Sequence, residues 1–162
     1  MSPREIPVLL VEDDVNDVFL IRRALAKAGI TTALRVVGDP ADAILYLKGE
    51  GQFTDRGQFP VPALMLLDLK LEGGTGFDVL RWVRQMSGIR RLPVIVLTSS
   101  SADRDINLAY DLGANSYVVK PLTFPNLVDL VRMVEMYWLM LNEAPDLSAE
   151  TGSGSATRSS SA

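Results

Sequence analysis

Ala63-Leu64-Met65-Leu66-Leu67-Asp68 is the stretch of sequence that decides the fold. Five apolar residues run directly into a carboxylate, and the glycine-bearing turn Glu72-Gly73-Gly74-Thr75-Gly76 follows. An unbroken apolar run of this length is typical of a strand that is buried on both faces of a parallel sheet. The pattern therefore predicts a central strand that places Asp68 at its carboxyl end.

The rest of the chain alternates short apolar runs with segments of helical periodicity. Further strands are predicted at Val8–Val11, Ala33–Val37, Pro93–Leu97 and Tyr117–Val119. Helices are predicted from about Val15 to Ala28, Pro40 to Lys48, Phe77 to Met86, Ala102 to Leu112 and Phe124 to Leu141. The run Ala33–Val37 is the less apolar one, which favours a position near a sheet edge. Five strands alternating with five helices predict an α/β domain with a parallel sheet and helices on both faces.

Two segments depart from this alternation. Residues 49–62 contain three glycines and two prolines and predict a long loop, which Phe53 and Phe59 are expected to pin to the surface. The composition changes beyond Asn142, where Ser, Gly, Ala and Thr become frequent. We therefore expect one domain over residues 1–142 and a disordered tail over residues 143–162.

Composition narrows the chemistry. The 16 basic and 20 acidic residues nearly balance, so the sequence favours protein or small-ligand partners over nucleic acid or membranes, and a cytoplasmic location is expected. The chain has no Cys and no His, which removes thiolate chemistry and the commonest transition-metal ligand. Carboxylates, hydroxyls, Lys and oxygen-bound cations such as Mg²⁺ remain.

The polar residues that are candidates for a functional site all follow predicted strands. In an open parallel sheet the ligand site lies off the carboxyl ends of the strands, so these side chains should meet in one acidic pocket. Crowded carboxylates would hold protons or recruit a cation, and a hard cation beside a carboxylate nucleophile suits phosphoryl transfer through an acyl phosphate. The residues that follow the strands are Glu12, Asp13, Asp14, Asp68, Thr98 and Lys120.

These residues also carry a family resemblance. Val11-Glu12-Asp13, Asp68, Thr98-Ser99 and Lys120-Pro121 resemble, in order and type, the receiver domain of two-component response regulators, over roughly residues 6–142. The resemblance implies a flavodoxin-like (βα)5 doubly wound sheet with strand order 2-1-3-4-5. It also implies a phosphoacceptor that assists its own phosphorylation and dephosphorylation, not an enzyme. The phosphoryl donor would be a sensor histidine kinase or a phosphotransfer protein.

The resemblance further assigns a role to each site residue. Asp68 would accept the phosphoryl group, and Mg²⁺ would be held by Asp13, by Asp68, by Glu12 through water and by the backbone carbonyl of Lys70. Lys120 and Thr98 would contact the phosphoryl group, and Tyr117 would switch rotamer with Thr98. At positions that tune acyl-phosphate lifetime in the family, this chain has Lys70 and Ser100.

A narrower resemblance links the chain to stand-alone regulators paired with bacterial and cyanobacterial phytochromes, which would signal through protein contacts. The end of the last predicted helix is apolar on several sides, which indicates a covered surface and predicts a homodimer. The candidate dimer residues are Met133, Met136, Tyr137 and Met140.

Other functions stay open at this point. A receiver-like interaction module that is never phosphorylated is the main alternative, although the complete set of acids, Thr98 and Lys120 disfavours it. A further alternative is a Mg²⁺-dependent phosphohydrolase or a flavin carrier. The hydrolase would need a second aspartate two residues after Asp68, where Lys70 stands.

Overall fold

The computed structural model describes residues 5–147, and its centre is a five-stranded parallel sheet. The strands are β1 (Pro7–Val11), β2 (Ala33–Val37), β3 (Leu64–Leu67), β4 (Val94–Thr98) and β5 (Ser116–Val119). They pair in the order β2-β1-β3-β4-β5, so the predicted doubly wound topology is confirmed and β2 lies at an edge. A short antiparallel ladder between Lys70–Leu71 and Gly74–Thr75 closes the turn after β3.

Helices cover both faces of the sheet. They are α1 (Val15–Lys27), α2 (Pro40–Lys48), α3 (Gly76–Gln85), α4 (Asp103–Asp111) and α5 (Phe124–Val134). Side chains of α1 and α5 form one apolar core with alternate strand residues such as Leu10 and Leu66. Side chains of α2, α3 and α4 form the other core with Leu9 and Leu67. All four residues of β3 are buried, as expected for a central strand between two helix layers.

The last helix changes its winding near its end. We expected one α-helix to Leu141, but α5 ends at Val134 and a π-helix continues over Glu135–Leu141. The wider turn of a π-helix shifts the register of the side chains. As a result Leu139 packs against the core, while Leu141, which the α-helical period predicts on the buried face, is 67% exposed.

The loop between α2 and β3 is more closely packed than we expected. It contains a 3₁₀ turn over Gly51–Phe53, and the Phe53 ring is buried in the core at 5.1 Å from the Tyr46 ring and 5.2 Å from the Phe59 ring. Arg56 donates to the carbonyls of Tyr46 and Leu47, both at 2.9 Å, and so satisfies the end of α2. Phe53 therefore anchors the loop from inside the protein.

The chain after α5 has no regular secondary structure over residues 143–147. Leu147 nevertheless packs against the core on the α2 and α3 side of the sheet. The part of the predicted tail over residues 148–162 lies outside the described residues. Within residues 5–147 no helix has the length and apolarity that crossing a membrane requires.

Candidate functional site

The acidic end of β1 is shaped by a helix cap. The Asp14 carboxylate accepts hydrogen bonds from the backbone N–H groups of Asn16 at 2.8 Å and Asp17 at 3.3 Å, so it begins α1. This turn leaves Glu12 buried and Asp13 exposed at the carboxyl edge of the sheet. The three adjacent acids therefore have different environments, and Asp14 has a structural partner of its own.

Asp68 is held rigidly at the end of β3. Its backbone N–H donates to the Val11 carbonyl at 3.0 Å, which continues the ladder with β1 by one residue. Its Oδ1 accepts from the backbone N–H of Leu69 at 2.7 Å, and the residue is only 5% exposed. The carboxylate therefore has a fixed orientation, with Oδ2 directed toward the neighbouring strand ends.

Lys120 joins the strand ends into one cluster. Its backbone N–H donates to the Thr98 carbonyl at 2.7 Å, which places the side chain beyond β4. The ammonium Nζ then donates to Glu12 Oε2 at 2.6 Å, to Asp17 Oδ2 at 2.7 Å and to Asp68 Oδ2 at 2.7 Å. Three carboxylates from two separate segments thus share one cation.

Burial and this shared cation set the protonation of the cluster. Burial raises the pKa of Glu12 to about 7, because the hydrogen bond from Lys120 offsets only part of the cost of desolvating its charge and the neighbouring Asp68 adds to the rise. Burial also acts to raise the pKa of Asp68, but the hydrogen bonds with Lys120 and Glu12, together with the charge of Lys120, outweigh it and lower the pKa. Burial disfavours the Lys120 ammonium, yet its three carboxylate partners raise the pKa. The Asp68 carboxylate is therefore ionised, and Lys120 is charged.

Three carboxylates fit a cation. One oxygen each from Glu12, Asp13 and Asp68 lies within 4.8 Å of the others, and a cleft of about 640 Å³ opens over them. Asp13 is anchored by the backbone N–H of Glu72, which donates to its Oδ2 at 3.1 Å. Lys70 lines the same cleft. Oxygen-only donors of this kind match the preference of Mg²⁺.

Thr98 has an unused hydroxyl. Its Oγ1 is buried and has no hydrogen-bond partner among the described residues. The hydroxyl still lies near enough to Asp68 to add slightly to the lowering of the pKa of that carboxylate. A buried hydroxyl without a partner is costly, and this one is a candidate donor to an oxygen that binds beside Asp68.

Tyr117 lies beside the loop that follows β4. Its hydroxyl donates to the Ser100 carbonyl at 2.8 Å, and burial raises its pKa. The Ser100 hydroxyl in turn donates to Asp105 Oδ2 at 2.6 Å, in the first turn of α4. The structure therefore connects Tyr117 to the loop after Thr98 rather than to the carboxylate cluster.

One contact was missed from the sequence. Asp17 lies in the first turn of α1, where an acidic residue is ordinarily explained by the helix dipole. A signal was present, because α1 starts at the carboxyl edge of the sheet and its first turn must face the pocket. The bond to Lys120 joins residues that are 103 positions apart, and only the folded chain shows it.

Comparison with known proteins agrees with this geometry. The sequence model of one protein family, the response regulator receiver domain, matches residues 8–132. The chain belongs to this family. The receiver is 36% identical over 138 residues to the probable methanogenesis regulatory protein FilR2 of Methanothrix harundinacea, covering 85% of this chain and 86% of FilR2.

Two further relatives have solved structures. The response regulator Rcp1 of Synechocystis sp. is 33% identical over 132 residues, covering 82% of this chain and 88% of Rcp1. Its Mn²⁺-bound structure has a TM-score of 0.77 at 32% identity, covering 86% of this receiver and 99% of that chain. The phosphorylated cyanobacterial phytochrome response regulator RcpA has a TM-score of 0.80 at 33% identity, covering 87% of this receiver and 99% of that chain.

Proposed function

We propose that this receiver accepts a phosphoryl group on Asp68 from a phosphohistidine of a sensor histidine kinase or of a phosphotransfer protein. The observation that carries the proposal is the ionised Asp68 carboxylate, which lies 2.7 Å from the Lys120 ammonium and beside the unpartnered hydroxyl of Thr98. A nucleophile, a cation and a free hydrogen-bond donor thus converge on one point at the mouth of an acidic cleft.

The chemical step follows from these groups. An oxygen of Asp68 attacks the phosphorus of phosphohistidine, forming an O–P bond while the N–P bond breaks. The electron pair of the broken bond stays on the imidazole nitrogen of the donor, which then takes up a proton. Lys120 and Thr98 hydrogen-bond the oxygens of the transferred group, so that charge and geometry are supplied by groups already in place.

The same cleft suits Mg²⁺. Asp13, Asp68 and, through water, Glu12 would hold the ion, together with the backbone carbonyl of Lys70. The bound ion would neutralise charge on the phosphoryl oxygens. The Mn²⁺-bound form of the relative Rcp1 supports this part of the proposal.

The signal would leave through protein contacts. Once Thr98 bonds a phosphoryl oxygen, the loop after β4 is drawn toward Asp68, and the bond between Tyr117 and the Ser100 carbonyl has to adjust. We infer that Tyr117 changes rotamer in this step and alters the surface formed by α4 and β5. The relative RcpA is a cyanobacterial phytochrome response regulator, which supports a phytochrome-type kinase as the partner of this receiver.

We also propose a homodimer through the end of the last helix. Met133, Met136, Tyr137 and Met140 are between 53% and 72% exposed, and together with Leu141 they form an apolar surface that we call the α5 patch. An exposed apolar surface of this kind is typical of a protein interface.

Intact-mass spectrometry tests the central proposal. The protein incubated with acetyl phosphate and Mg²⁺ should gain one phosphoryl mass that hydroxylamine removes, and the Asp68→Asn variant should gain none. Asp111→Asn, which removes an exposed carboxylate at the end of α4, is the matched control and should react like the wild type. If the wild type gains no hydroxylamine-labile mass, the unphosphorylated interaction module becomes the better description.

A further inference from the structure

Asp17 has a contact that its position in the fold does not require. Helix α1 already has its cap in Asp14, whose Oδ1 binds the Asp17 backbone N–H. The Asp17 side chain instead reaches away from the helix terminus to Lys120, with Oδ2 at 2.7 Å from Nζ. Asp17 is also outside the three carboxylates that could hold a cation together. Its carboxylate therefore serves neither the helix cap nor the metal cluster.

The hydrogen-bond capacity of Lys120 makes this contact consequential. An ammonium has three N–H donors, and here Glu12, Asp17 and Asp68 accept one each, at 2.6, 2.7 and 2.7 Å. A phosphoryl oxygen that approaches Lys120 must therefore displace or share one of these acceptors. Asp68 is the phosphoacceptor and Glu12 would turn toward the cation, which leaves Asp17 as the acceptor with no other function in the site.

Charge leads to the same residue. The charges of Glu12, Asp13 and Asp68 lie where a divalent cation would offset them. Among the described residues, Asp17 forms its ion pair with Lys120. The negative charge of Asp17 therefore reduces the attraction that Lys120 can offer to an anion.

We propose that Asp17 is a positioning residue that restrains Lys120 in the unphosphorylated protein and so opposes binding of the phosphoryl group. The inference rests on the proposed function. Asp17 acts through Lys120 and does not touch the reacting atoms. Its removal should favour the phosphorylated state, whereas loss of an ordinary structural contact would weaken the site.

Titration with beryllium fluoride, a phosphoryl analogue, tests the proposal. Binding is measured by calorimetry at saturating Mg²⁺ on the wild type, on Asp17→Asn and on Asp14→Asn. Asp14→Asn is the matched control because it removes a neighbouring charge from the same turn, and Asn caps a helix as well as Asp does. Circular dichroism establishes that each variant is folded, and a Mg²⁺ titration without the analogue isolates cation binding.

We expect Asp17→Asn to bind the analogue about tenfold more tightly, because one charge-assisted acceptor no longer competes for the ammonium. Asp14→Asn should change the affinity by less than about twofold, as for an exposed charge. Mg²⁺ affinity alone should stay within about twofold for Asp17→Asn, because that carboxylate lies outside the cation cluster.

Three results would overturn the inference. They are unchanged or weaker analogue binding by Asp17→Asn, an equal gain in Asp14→Asn, and a gain that Mg²⁺ binding alone accounts for. Failure of the folded wild type to bind the analogue would overturn the proposed function together with the inference. Binding by the wild type with no gain in Asp17→Asn would overturn only the inference.

Discussion

Gly76 shows how one residue fixes the position of the candidate nucleophile. Its backbone N–H donates to the Leu69 carbonyl at 2.9 Å, and a Cβ added to it would overlap the carbonyl oxygen of Asp68. The backbone of Gly76 is not in the left-handed region, so the requirement for glycine here is a steric one. Any side chain at this position must push the end of β3 out of place.

Gly76→Ala should therefore damage both stability and reactivity. We expect the free energy of unfolding to fall by about 1–3 kcal/mol from overpacking, and phosphorylation by acetyl phosphate to slow by at least about tenfold because Asp68 is displaced. Urea denaturation and intact-mass kinetics measure the two effects. Gly38→Ala is the control, since its Cβ would meet no atom closer than 3.9 Å. Equal behaviour of the two variants would contradict this account.

The pKa of Glu12 predicts how the stability of the metal-free protein depends on pH. Burial raises this pKa from an ordinary 4.5 to about 7, so the folded state holds a proton that the unfolded state has lost. Stability is therefore greatest below about pH 4.5 as far as Glu12 is concerned, and it is lost as pH rises through about 7. The lowered pKa of Asp68 acts below this window and the raised pKa of Lys120 acts above it.

We expect the free energy of unfolding to fall by up to about 2.5 kcal/mol between pH 5 and 7.5 in the presence of a chelator. Urea midpoints across this range measure it. Glu12→Gln, which cannot ionise, should flatten the profile, and Glu50→Gln, an exposed acid in the loop after α2, should not. A wild-type stability that rises over this range would show that Glu12 is already ionised.

At the scale of elements, α3 is tied to its neighbours by Arg84. Its guanidinium donates to the carbonyl oxygens of Gly113 at 2.9 Å, Arg90 at 2.8 Å and Leu92 at 2.6 Å. It also donates to Asn115 Oδ1 at 2.8 Å, which in turn accepts from the Val94 backbone N–H. These acceptors lie just before the first residues of β4 and β5. The bonds therefore hold the amino ends of these strands, at the end of the sheet opposite the site.

Arg84→Lys should lower stability without changing the chemistry. A lysine has a single point charge and cannot span the four acceptors, so we expect a loss of about 2 kcal/mol. The control is Arg81→Lys, one turn earlier on α3, where the guanidinium pairs with the exposed Asp78 at 3.4 Å. Urea denaturation should separate the two variants, while acetyl phosphate should modify both at the wild-type rate. A slower phosphorylation rate in Arg84→Lys would mean that the amino and carboxyl ends of the strands are coupled.

At the scale of the whole molecule, the proposed homodimer would form through the α5 patch. The α5 patch lies on the helix that covers the β1 and β3 face of the sheet, and its π-helical end leaves several large apolar side chains exposed. Burial of such side chains in a second copy would stabilise a symmetric dimer.

Met136→Glu should therefore weaken self-association. We expect the wild type to sediment as a dimer at micromolar concentration, and the variant to need at least about tenfold more protein to do so, because a charge would be buried at the interface. Val61→Glu is the control, since Val61 is also an exposed apolar residue, 45% accessible, but lies in the loop before β3. A wild type that sediments as a monomer, with and without phosphorylation, would contradict the proposed dimer.

Much of the fold and of the site is readable along the chain. Short apolar runs separated by helical periods are sufficient for a parallel α/β sheet, because a strand that is buried on both faces must be apolar throughout. The same rule brings Glu12, Asp68, Thr98 and Lys120 together, since the carboxyl ends of parallel strands meet at one edge. The sequence by itself therefore determined the architecture, the candidate nucleophile and most of its neighbours.

Only the tertiary structure decided which side chains touch. The bond between Asp17 and Lys120 depends on how α1 crosses the sheet, the overlap between Gly76 and Asp68 depends on how tightly the turn closes, and the exposure of Leu141 depends on π-helical winding. Local patterns specify the face on which a side chain lies, but contacts of a few ångströms depend on the packing of elements that are distant in sequence.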